Sequence, residues 1–286
     1  MTINGDYQRL VADREELLRS LLLRVLSKRA LKTVKMRGRI LVNQIERTVR
    51  HPLRVGDVVE LYYPDERAES QVEPWYFPLH IVYEDEAFLV VNKPAGMASI
   101  PNRRYPNYTL ANALTGYYEM QGIPSKVHLV SRLDKQTSGL LLVAKNRRMH
   151  HLVMGQVSRR YVFLVEGQME GQGTLMLPIA SVAGTTQRII DCAGKQAITH
   201  YRVLSQQGPH TLVEASLETG RTHQIRVHFA HLGHPLVGDR LYGKAHPYFQ
   251  GQALHSYYLC FKHPLTQKTL RFEAWPYWLK GDKPSR

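Results

Sequence analysis

The chain has 286 residues, and its 43% of hydrophobic side chains are enough to exclude a chain that is disordered throughout. Its 38 lysines and arginines against 24 acidic residues give a net charge of +14, which favours a polyanionic partner, with nucleic acid first and an acidic membrane surface second. The two cysteines form no CxxC pair, so a zinc ribbon is excluded and a disulfide framework is not expected.

Signals for export or membrane insertion are not found in the sequence. It has no signal-peptide pattern, and no apolar run reaches the length that a membrane-spanning helix needs. The few cysteines are typical of a reducing compartment. We therefore expect a cytoplasmic protein with no membrane partner.

The first 65 residues combine a predicted helix with short strands. Leu17, Leu21 and Val25 recur at helical spacing, which predicts one helix from about residue 14 to residue 30. Residues 38–43, which contain Ile-Leu-Val, indicate one strand, and residues 55–61 indicate a tight Val-Gly-Asp turn that runs into a second strand. This order resembles the small α-L RNA-binding module that ribosomal proteins share with several RNA-modifying enzymes.

Basic side chains follow the predicted helix of this segment, at Lys32, Lys35, Arg37 and Arg39. The resemblance implies an N-terminal α-L RNA-binding-like domain over residues 1–65, with Arg37 and Arg39 as RNA-binding residues. The alternative is a small structural cap whose basic face is only solvated.

The composition changes at about residues 62–78, where proline and acidic residues are frequent and hydrophobic periodicity is lost. This change predicts a linker over residues 66–78. The remaining residues, 79–286, then form a larger second domain.

Predicted strands dominate the second domain. Residues 139–144 are a continuous apolar run that fits a strand buried on both faces, and residues 211–217 alternate as in a half-buried strand. One helix is predicted to open near Thr222 and to stop at Gly233. The fold class is therefore predicted to be α+β, with a mixed, mainly antiparallel sheet and flanking helices.

Polar side chains precede the apolar run at residues 139–144, and Asp134 is the carboxylate among them. A loop at the mouth of a core strand holds a reacting group rigidly and leaves it accessible. The alternative is a turn in which Asp134 pairs with Arg132 or Lys135. Spacing alone leaves both interpretations open.

A second polar cluster lies where the strand at residues 211–217 meets the predicted helix. Arg221, His223, Gln224 and the N–H groups of the first helical turn suit an anion, although a capped helix with a solvated basic face is the alternative. Further histidines follow on the helix, but no HExxH motif and no acidic residue accompany them. No metal site is therefore expected.

Three segments together resemble one enzyme family. Residues 132–142 read Arg-Leu-Asp followed by Thr-Ser-Gly-Leu-Leu-Leu, and residues 220–228 read Gly-Arg-Thr-His-Gln-Ile-Arg-Val-His. Between them Tyr161 opens a predicted strand, where a packed core tyrosine is the simpler explanation when taken alone. In this order the segments resemble the RluA-type RNA pseudouridine synthases, and the resemblance extends from about residue 78 to the C-terminus.

Two positions depart from the pattern of that family. Ser131 stands where a histidine usually precedes Arg-Leu-Asp, and Ile100 stands where a histidine usually precedes proline. Neither change removes Asp134. We expect both to mark a subgroup with a different RNA target.

The resemblance implies isomerisation of uridine to pseudouridine within ribosomal or transfer RNA, by a monomer that needs no cofactor and no metal. Asp134 would be the catalytic carboxylate, Arg221 its ion-pair partner, and Tyr161 the residue that packs on the target base. The RNA-binding residues expected in this domain are Arg132, Thr137 and Ser138.

Two other functions account for part of the pattern. A non-catalytic RNA-binding protein on the same fold explains the charge, but it makes no joint use of Asp134, Tyr161 and Arg221. An N-glycoside hydrolase would use the same carboxylate and a second one, for which Asp239 and Glu218 are the candidates. The products separate these functions, because a hydrolase releases uracil and a synthase does not.

Overall fold

A computed structural model describes residues 7–63, 72–123 and 125–279. They form two compact units that divide between Gln71 and Val72, and the short segment Ile123–Lys126 groups with the first unit. The predicted linker is only partly described, because residues 66–71 lie outside these ranges.

The first unit contains two helices and two small sheets within its described residues. The helices are α1 (Leu18–Val25) and α2 (Lys28–Arg37). The strands are β1 (Tyr7–Val11), β2 (Glu16–Leu17), β3 (Arg39–Val42), β4 (Ile45–Glu46), β5 (Pro52–Leu53) and β6 (Val58–Tyr62). One sheet has the order β1-β6-β3-β4, and β2 pairs with β5 in the other.

The single helix predicted for residues 14–30 is wrong, because the chain breaks between α1 and α2. Ser27 caps the second helix by accepting a hydrogen bond from the N–H of Ala30 (3.1 Å). The buried face of α1 consists of Leu18, Leu21 and Leu22, whereas Leu17 is 51% exposed. The first apolar position of the predicted period therefore lies in a strand rather than in the helix.

The second unit is built on a ten-stranded sheet. Its central order is β12-β15-β16-β11-β17-β10-β8-β7, with β9 paired to β10 and β18 paired to β17, while β13 and β14 form a separate hairpin. The strand bounds are β7 (Ile81–Glu84), β8 (Phe88–Lys93), β9 (His128–Leu129), β10 (Ser138–Ala144), β11 (Ser158–Glu166), β12 (Gln172–Met176), β13 (Ile179–Ser181), β14 (Arg188–Ile190), β15 (Ile198–Gln207), β16 (His210–Leu217), β17 (Leu254–Lys262) and β18 (Thr269–Glu273).

Strand direction in this sheet is mixed but mainly antiparallel. β10 runs parallel to β17, with Ser138 opposite His255, and the other described pairings are antiparallel. The helices are α3 (Leu110–Met120), α4 (Arg147–Val153) and α5 (Gln224–His231), and a short 3-10 turn covers Tyr277–Leu279. The predicted α+β class with a mixed, mainly antiparallel sheet is confirmed.

The strand predicted to be buried on both faces is β10, and its leucines 140 to 142 are fully buried. Met149 and Val153 of α4 pack in the same apolar cluster as alternate residues of β10. β10 and β11 both pair with β17, and β16 pairs with β11 on its other side. The residues before β10, on β11 and after β16 are thereby brought to neighbouring positions of the sheet.

Residues 72–78 have no helix or strand, but they are held against α3. The N–H of Trp75 donates to the carbonyl of Asn112 (2.9 Å), and the Asn112 side chain donates to the carbonyl of Glu73 (2.8 Å). The Trp75 ring also packs on Phe77 and Tyr108. Residues 72–78 of the predicted linker are therefore held by contacts within the second unit. No helix in the described ranges is long and apolar enough to cross a membrane.

Candidate active site

An open cavity of about 600 Å³ lies in the second unit. Its lining comes from three stretches of chain, at residues 98–105, 129–137 and 217–226, together with parts of α4 and β11. The predicted site residues that line it are Arg132, Asp134, Thr137, Tyr161 and Arg221. Segments far apart in sequence therefore meet around Asp134.

The loop that carries Asp134 is fixed on both sides of the carboxylate. The buried hydroxyl of Ser99 accepts a hydrogen bond from the N–H of Leu133 (3.0 Å) and donates to the carbonyl of the same residue (2.6 Å). On the other side, Lys93 Nζ donates to the carbonyl of Lys135 (3.4 Å). Burial lowers the pKa of Lys93 to about 7, against the opposing charge of Asp134.

Arg226 is the arginine that pairs with Asp134. Its Nη1 donates to Asp134 Oδ2 (3.1 Å), while Nε and Nη2 donate to the two carboxylate oxygens of Asp239 (2.7 and 2.9 Å). Arg226 is 7% exposed and Asp239 is fully buried, so this guanidinium joins the cavity-lining Asp134 to a carboxylate that is closed to bulk water. Burial alone would lower the pKa of Arg226, but the bonded Asp239 and the nearby Asp134 raise it above its usual range.

The prediction that Arg221 pairs with Asp134 is therefore wrong. Arg221 is exposed at the cavity wall, and its Nε donates to the carbonyl of Gln196 (3.0 Å). α5 begins at Gln224, slightly later than the predicted start near Thr222, and its N-cap residue His223 has a left-handed backbone (φ 59°). Arg226 thus lies in the first helical turn, and Arg221 remains in the preceding loop.

The side chain of Gln224 holds that loop in place through hydrogen bonds. Its side-chain oxygen accepts hydrogen bonds from the N–H of Arg221 (2.9 Å) and the hydroxyl of Thr219 (2.9 Å). Its side-chain nitrogen donates to the carbonyl of Ile198 (2.9 Å) and to Thr199 Oγ1 (3.1 Å). A buried amide with all these bonds rigidifies the junction between β16 and α5.

Tyr161 lies on β11 and faces the cavity, with 6% of its surface exposed. Burial raises the pKa of its hydroxyl, with Arg159 opposing the shift, so the phenol is protonated near neutral pH. A nearly buried ring of this kind offers an apolar surface to a planar base. Its placement fits a packing role beside the carboxylate.

The hydroxyls of Thr137 and Ser138 make hydrogen bonds inside the protein, and their contact with RNA stays a prediction. Thr137 is 2% exposed, and its Oγ1 accepts a hydrogen bond from Gln252 Nε2 (3.1 Å). Ser138 Oγ lies 2.7 Å from His255 Nδ1, and His255 Nε2 lies 2.8 Å from the carbonyl of Ala274. Because a carbonyl only accepts, Nε2 of His255 carries the proton and Nδ1 accepts from Ser138.

The remaining predicted RNA-binding residues are exposed. Arg132 lies at the cavity, next to Leu133. Arg37 and Arg39 are exposed in the first unit, and Arg39 Nε is 3.8 Å from Glu46 Oε2. Their contact with RNA stays a prediction.

The candidate second carboxylates differ from what a hydrolase requires. Asp239 is fully buried and bound by Arg226, so it has no access to a water molecule or a leaving group. Glu218 is exposed and pairs with His200 Nε2 (2.6 Å). Within the described ranges no three His, Cys, Asp or Glu side chains are placed to hold a metal ion, and His228 Nε2 lies 3.1 Å from the carbonyl of Leu177.

Several residues of this site were missed by sequence reasoning. Arg226 lies within the motif at residues 220–228, but nothing in the linear pattern distinguishes it from Arg221. Asp239 was considered only as a second carboxylate, and Ser99 and Lys93 carried no signal that connects them to Asp134. All of these roles depend on contacts between distant segments.

The chain is similar to proteins of known family. A family model described as RNA pseudouridylate synthase matches residues 87–231. The chain is 42% identical over 257 residues to the uncharacterized RNA pseudouridine synthase YjbO of Bacillus subtilis, covering 87% of this chain and 91% of that protein. It is also 42% identical over 223 residues to ribosomal large subunit pseudouridine synthase D of Zymomonas mobilis, covering 71% and 70%.

A solved structure shows the same fold. Human RNA Pseudouridylate Synthase Domain Containing 1 is 26% identical to the chain, with a TM-score of 0.57 and coverage of 72% of this chain and 85% of that one. The matched family region includes Asp134, Tyr161 and Arg226, which line the same cavity. The chain therefore belongs to the RluA-type family of RNA pseudouridine synthases, enzymes that isomerise uridine within RNA.

Proposed function

We propose that this chain converts a uridine of large-subunit ribosomal RNA to pseudouridine, with Asp134 as the catalytic carboxylate and without a metal or cofactor. The proposed catalytic role of Asp134 rests on its ion pair with the buried Arg226 at the wall of an open cavity. The choice of RNA is supported by relatives that are named ribosomal large subunit pseudouridine synthase D.

The reaction needs a group that stabilises or attacks an electron-poor sugar carbon. The N1–C1′ bond breaks, the uracil turns, and a C5–C1′ bond forms, while the C5 hydrogen leaves as a proton and N1 gains one. A carboxylate serves as nucleophile, base or electrostatic partner in such a sequence. Because no atom and no electron is gained or lost overall, the side chains of the cavity can supply the chemistry. Arg226 donates a hydrogen bond to Asp134 Oδ2 and fixes the orientation of that carboxylate.

The target base must leave its stack to reach this cavity, at an unstacking cost of about a few kcal/mol. Tyr161 presents its ring to the base, and the cationic side chains of Arg132, Arg159 and Arg221 line the same cavity and contact phosphates. The basic first unit, with Arg37 and Arg39 exposed, adds phosphate contacts. We propose further that the enzyme acts as a monomer in the cytoplasm.

The two rival functions have weaker support. A non-catalytic RNA-binding protein has no use for a carboxylate held by a buried arginine, since a carboxylate repels phosphate. A hydrolase needs an accessible second carboxylate, and Asp239 does not provide one because it is fully buried and bonded to Arg226. Of these three functions, only the synthase requires a single accessible carboxylate that is held by a buried arginine.

Pseudouridine mapping tests the proposal in cells. We expect RNA from a strain without the gene to lack pseudouridine at one or more positions of large-subunit ribosomal RNA. The wild-type gene and a Glu218→Gln variant restore the modification, and Asp134→Asn does not. Glu218 is the matched control because it is a carboxylate at the end of β16 that pairs with His200 rather than with Arg226.

Each outcome of this mapping has a separate meaning. Loss of pseudouridine only in transfer RNA would overturn the ribosomal target and keep the reaction. Restoration by Asp134→Asn would overturn the role of Asp134. An unchanged map would contradict the proposed function as a whole.

A further inference from the structure

His223 faces the carboxylate of Asp134 from the start of α5. Its Nε2 lies 3.8 Å from Asp134 Oδ2, and its other ring nitrogen, Nδ1, lies 2.8 Å from the hydroxyl of Tyr242. We propose that His223 is a positioning residue that donates Nε2–H to Asp134 Oδ2, so that Arg226 and His223 hold one carboxylate oxygen and direct Oδ1 toward the reacting sugar. This inference rests on the proposed catalytic role of Asp134.

The position of the ring proton follows from Tyr242. The Tyr242 oxygen accepts a hydrogen bond from the backbone N–H of Arg188 (2.8 Å). The single phenol proton then needs an acceptor, and His223 Nδ1 is the one found at hydrogen-bond distance among the described residues. Tyr242 therefore donates to Nδ1, which places the imidazole proton on Nε2, the nitrogen that faces Asp134.

The charges around His223 agree with a neutral ring. Burial lowers the pKa of His223; Asp134 and Asp239 oppose that shift, and Arg226 and Arg188 reinforce it. A neutral imidazole with its proton on Nε2 remains a hydrogen-bond donor to a carboxylate without adding a second full charge beside Arg226. The neutral ring thus orients the carboxylate of Asp134 without adding a charge to the site.

The donors of this site converge on one oxygen. Arg226 Nη1 lies 3.1 Å from Asp134 Oδ2, the same oxygen that His223 faces. The distance of 3.8 Å is longer than a hydrogen bond, and contacts of this kind at catalytic groups commonly tighten when substrate binds.

The backbone of His223 limits which residues can replace it. Its φ of 59° lies in the left-handed region, which non-glycine residues adopt at a cost unless the surrounding structure holds them there. Asparagine is among the residues that tolerate this region best. A test can therefore separate the backbone requirement from the requirement for the ring nitrogen.

Two substitutions make that separation, because glutamine reaches the position of Nε2 and asparagine reaches only that of Nδ1. His223→Asn keeps a polar group for Tyr242 and suits the left-handed backbone, but nothing then faces Asp134. His223→Gln presents an amide N–H to Asp134. We expect single-turnover rates to fall ~10-fold or more in His223→Asn and to recover to within about 3-fold of wild type in His223→Gln.

The substrate for this test is C5-tritiated RNA from a strain that lacks the gene, with enzyme in excess. The dissociation constant for RNA and the melting temperature are measured on the same variants and should stay near wild type. Tyr242→Phe keeps the ring beside Arg226 but removes the hydroxyl that directs the imidazole proton, and we expect a fall in rate with unchanged RNA affinity.

A purely structural role of His223 predicts the reverse order, with His223→Asn equal to or faster than His223→Gln, and that order would overturn the proposal. Equal rates for wild type, His223→Asn and His223→Gln would overturn it as well. Failure of the proposed function looks different, because the wild-type enzyme itself would then release no tritium from any RNA fraction.

Discussion

Arg226 and Arg221 belong to one short segment, yet they occupy opposite environments. Arg226 is 7% exposed and is bonded to two carboxylates, whereas Arg221 is exposed at the cavity wall and bonded to a backbone carbonyl. A buried charge is tolerated only with fixed partners, so it can hold a reacting group in one geometry. An exposed guanidinium keeps its freedom and suits phosphates that approach from solvent.

The largest effect expected from this difference is on the chemical step. Lysine at position 226 cannot bond both oxygens of Asp239 and also reach Asp134, because an ammonium lacks the planar fork of a guanidinium. We expect Arg226→Lys to lower the single-turnover rate ~100-fold or more, with little change in RNA affinity. Rate and affinity are measured on the same tritiated RNA.

Arg221→Lys is the matched control for that experiment. It should keep a rate within several-fold of wild type, contrary to the expectation from the sequence alone that Arg221 pairs with Asp134. Equal losses of single-turnover rate in Arg221→Lys and Arg226→Lys would contradict the different roles of the buried and the exposed arginine.

His255, which is buried and hydrogen-bonds Ser138 in the site, should make the free energy of unfolding depend on pH. Burial lowers the pKa of His255 from its ordinary value of 6.5 to about 4. Between these values the unfolded chain binds more protons, so the stability present above pH 6.5 is lost as the pH falls toward 4. At about 1.4 kcal/mol per pKa unit, the loss attributable to His255 at pH 5 is roughly 2 kcal/mol.

His255→Gln removes this titration and keeps an amide donor for the carbonyl of Ala274. We expect the difference in unfolding free energy between wild type and His255→Gln to shrink by that amount between pH 7.5 and pH 5, while the exposed His151→Gln follows wild type. Urea unfolding can be followed by fluorescence, since Trp75, Trp275 and Trp278 all lie in the second unit. Parallel curves for wild type and His255→Gln would contradict the assignment.

The smallest expected effect concerns the exposed arginine. Arg221→Ala should weaken RNA binding several-fold and make the salt dependence of the association constant shallower by about one phosphate contact. The maximal single-turnover rate should stay near wild type. A large loss of rate at saturating enzyme, with an unchanged salt slope, would place Arg221 in the chemistry instead.

The sequence could predict those features of the site that have a local signature, but not those that depend on contacts between distant segments. The apolar run of β10 and the loop before it were predictable, because a buried strand and a polar loop have local signatures, and Asp134 and Tyr161 do line one cavity. The choice between Arg221 and Arg226 was not predictable, since both lie in one motif and the bond from Arg226 to Asp134 joins segments that are far apart in the sequence.

Other features depend on contacts across long sequence separations. The hydroxyl of Ser99 binds the backbone of Leu133, and Trp75 is fixed by Asn112 within a segment whose composition predicts a linker. The N-terminal helix was predicted as one piece because Leu17, Leu21 and Val25 share a period. Its break depends on the cap at Ser27, which the period does not record.

The release of tritium from labelled RNA shows whether the protein isomerises uridine and whether the reaction needs Asp134. Purified protein with chelator present is mixed with C5-tritiated cellular RNA from a strain that lacks the gene, and both water-borne tritium and free uracil are measured. We expect wild type to release tritium without uracil, and a folded Asp134→Asn variant that binds the same RNA to release neither. Release of uracil by wild type, or tritium release by Asp134→Asn at more than about a hundredth of the wild-type rate, would contradict this expectation.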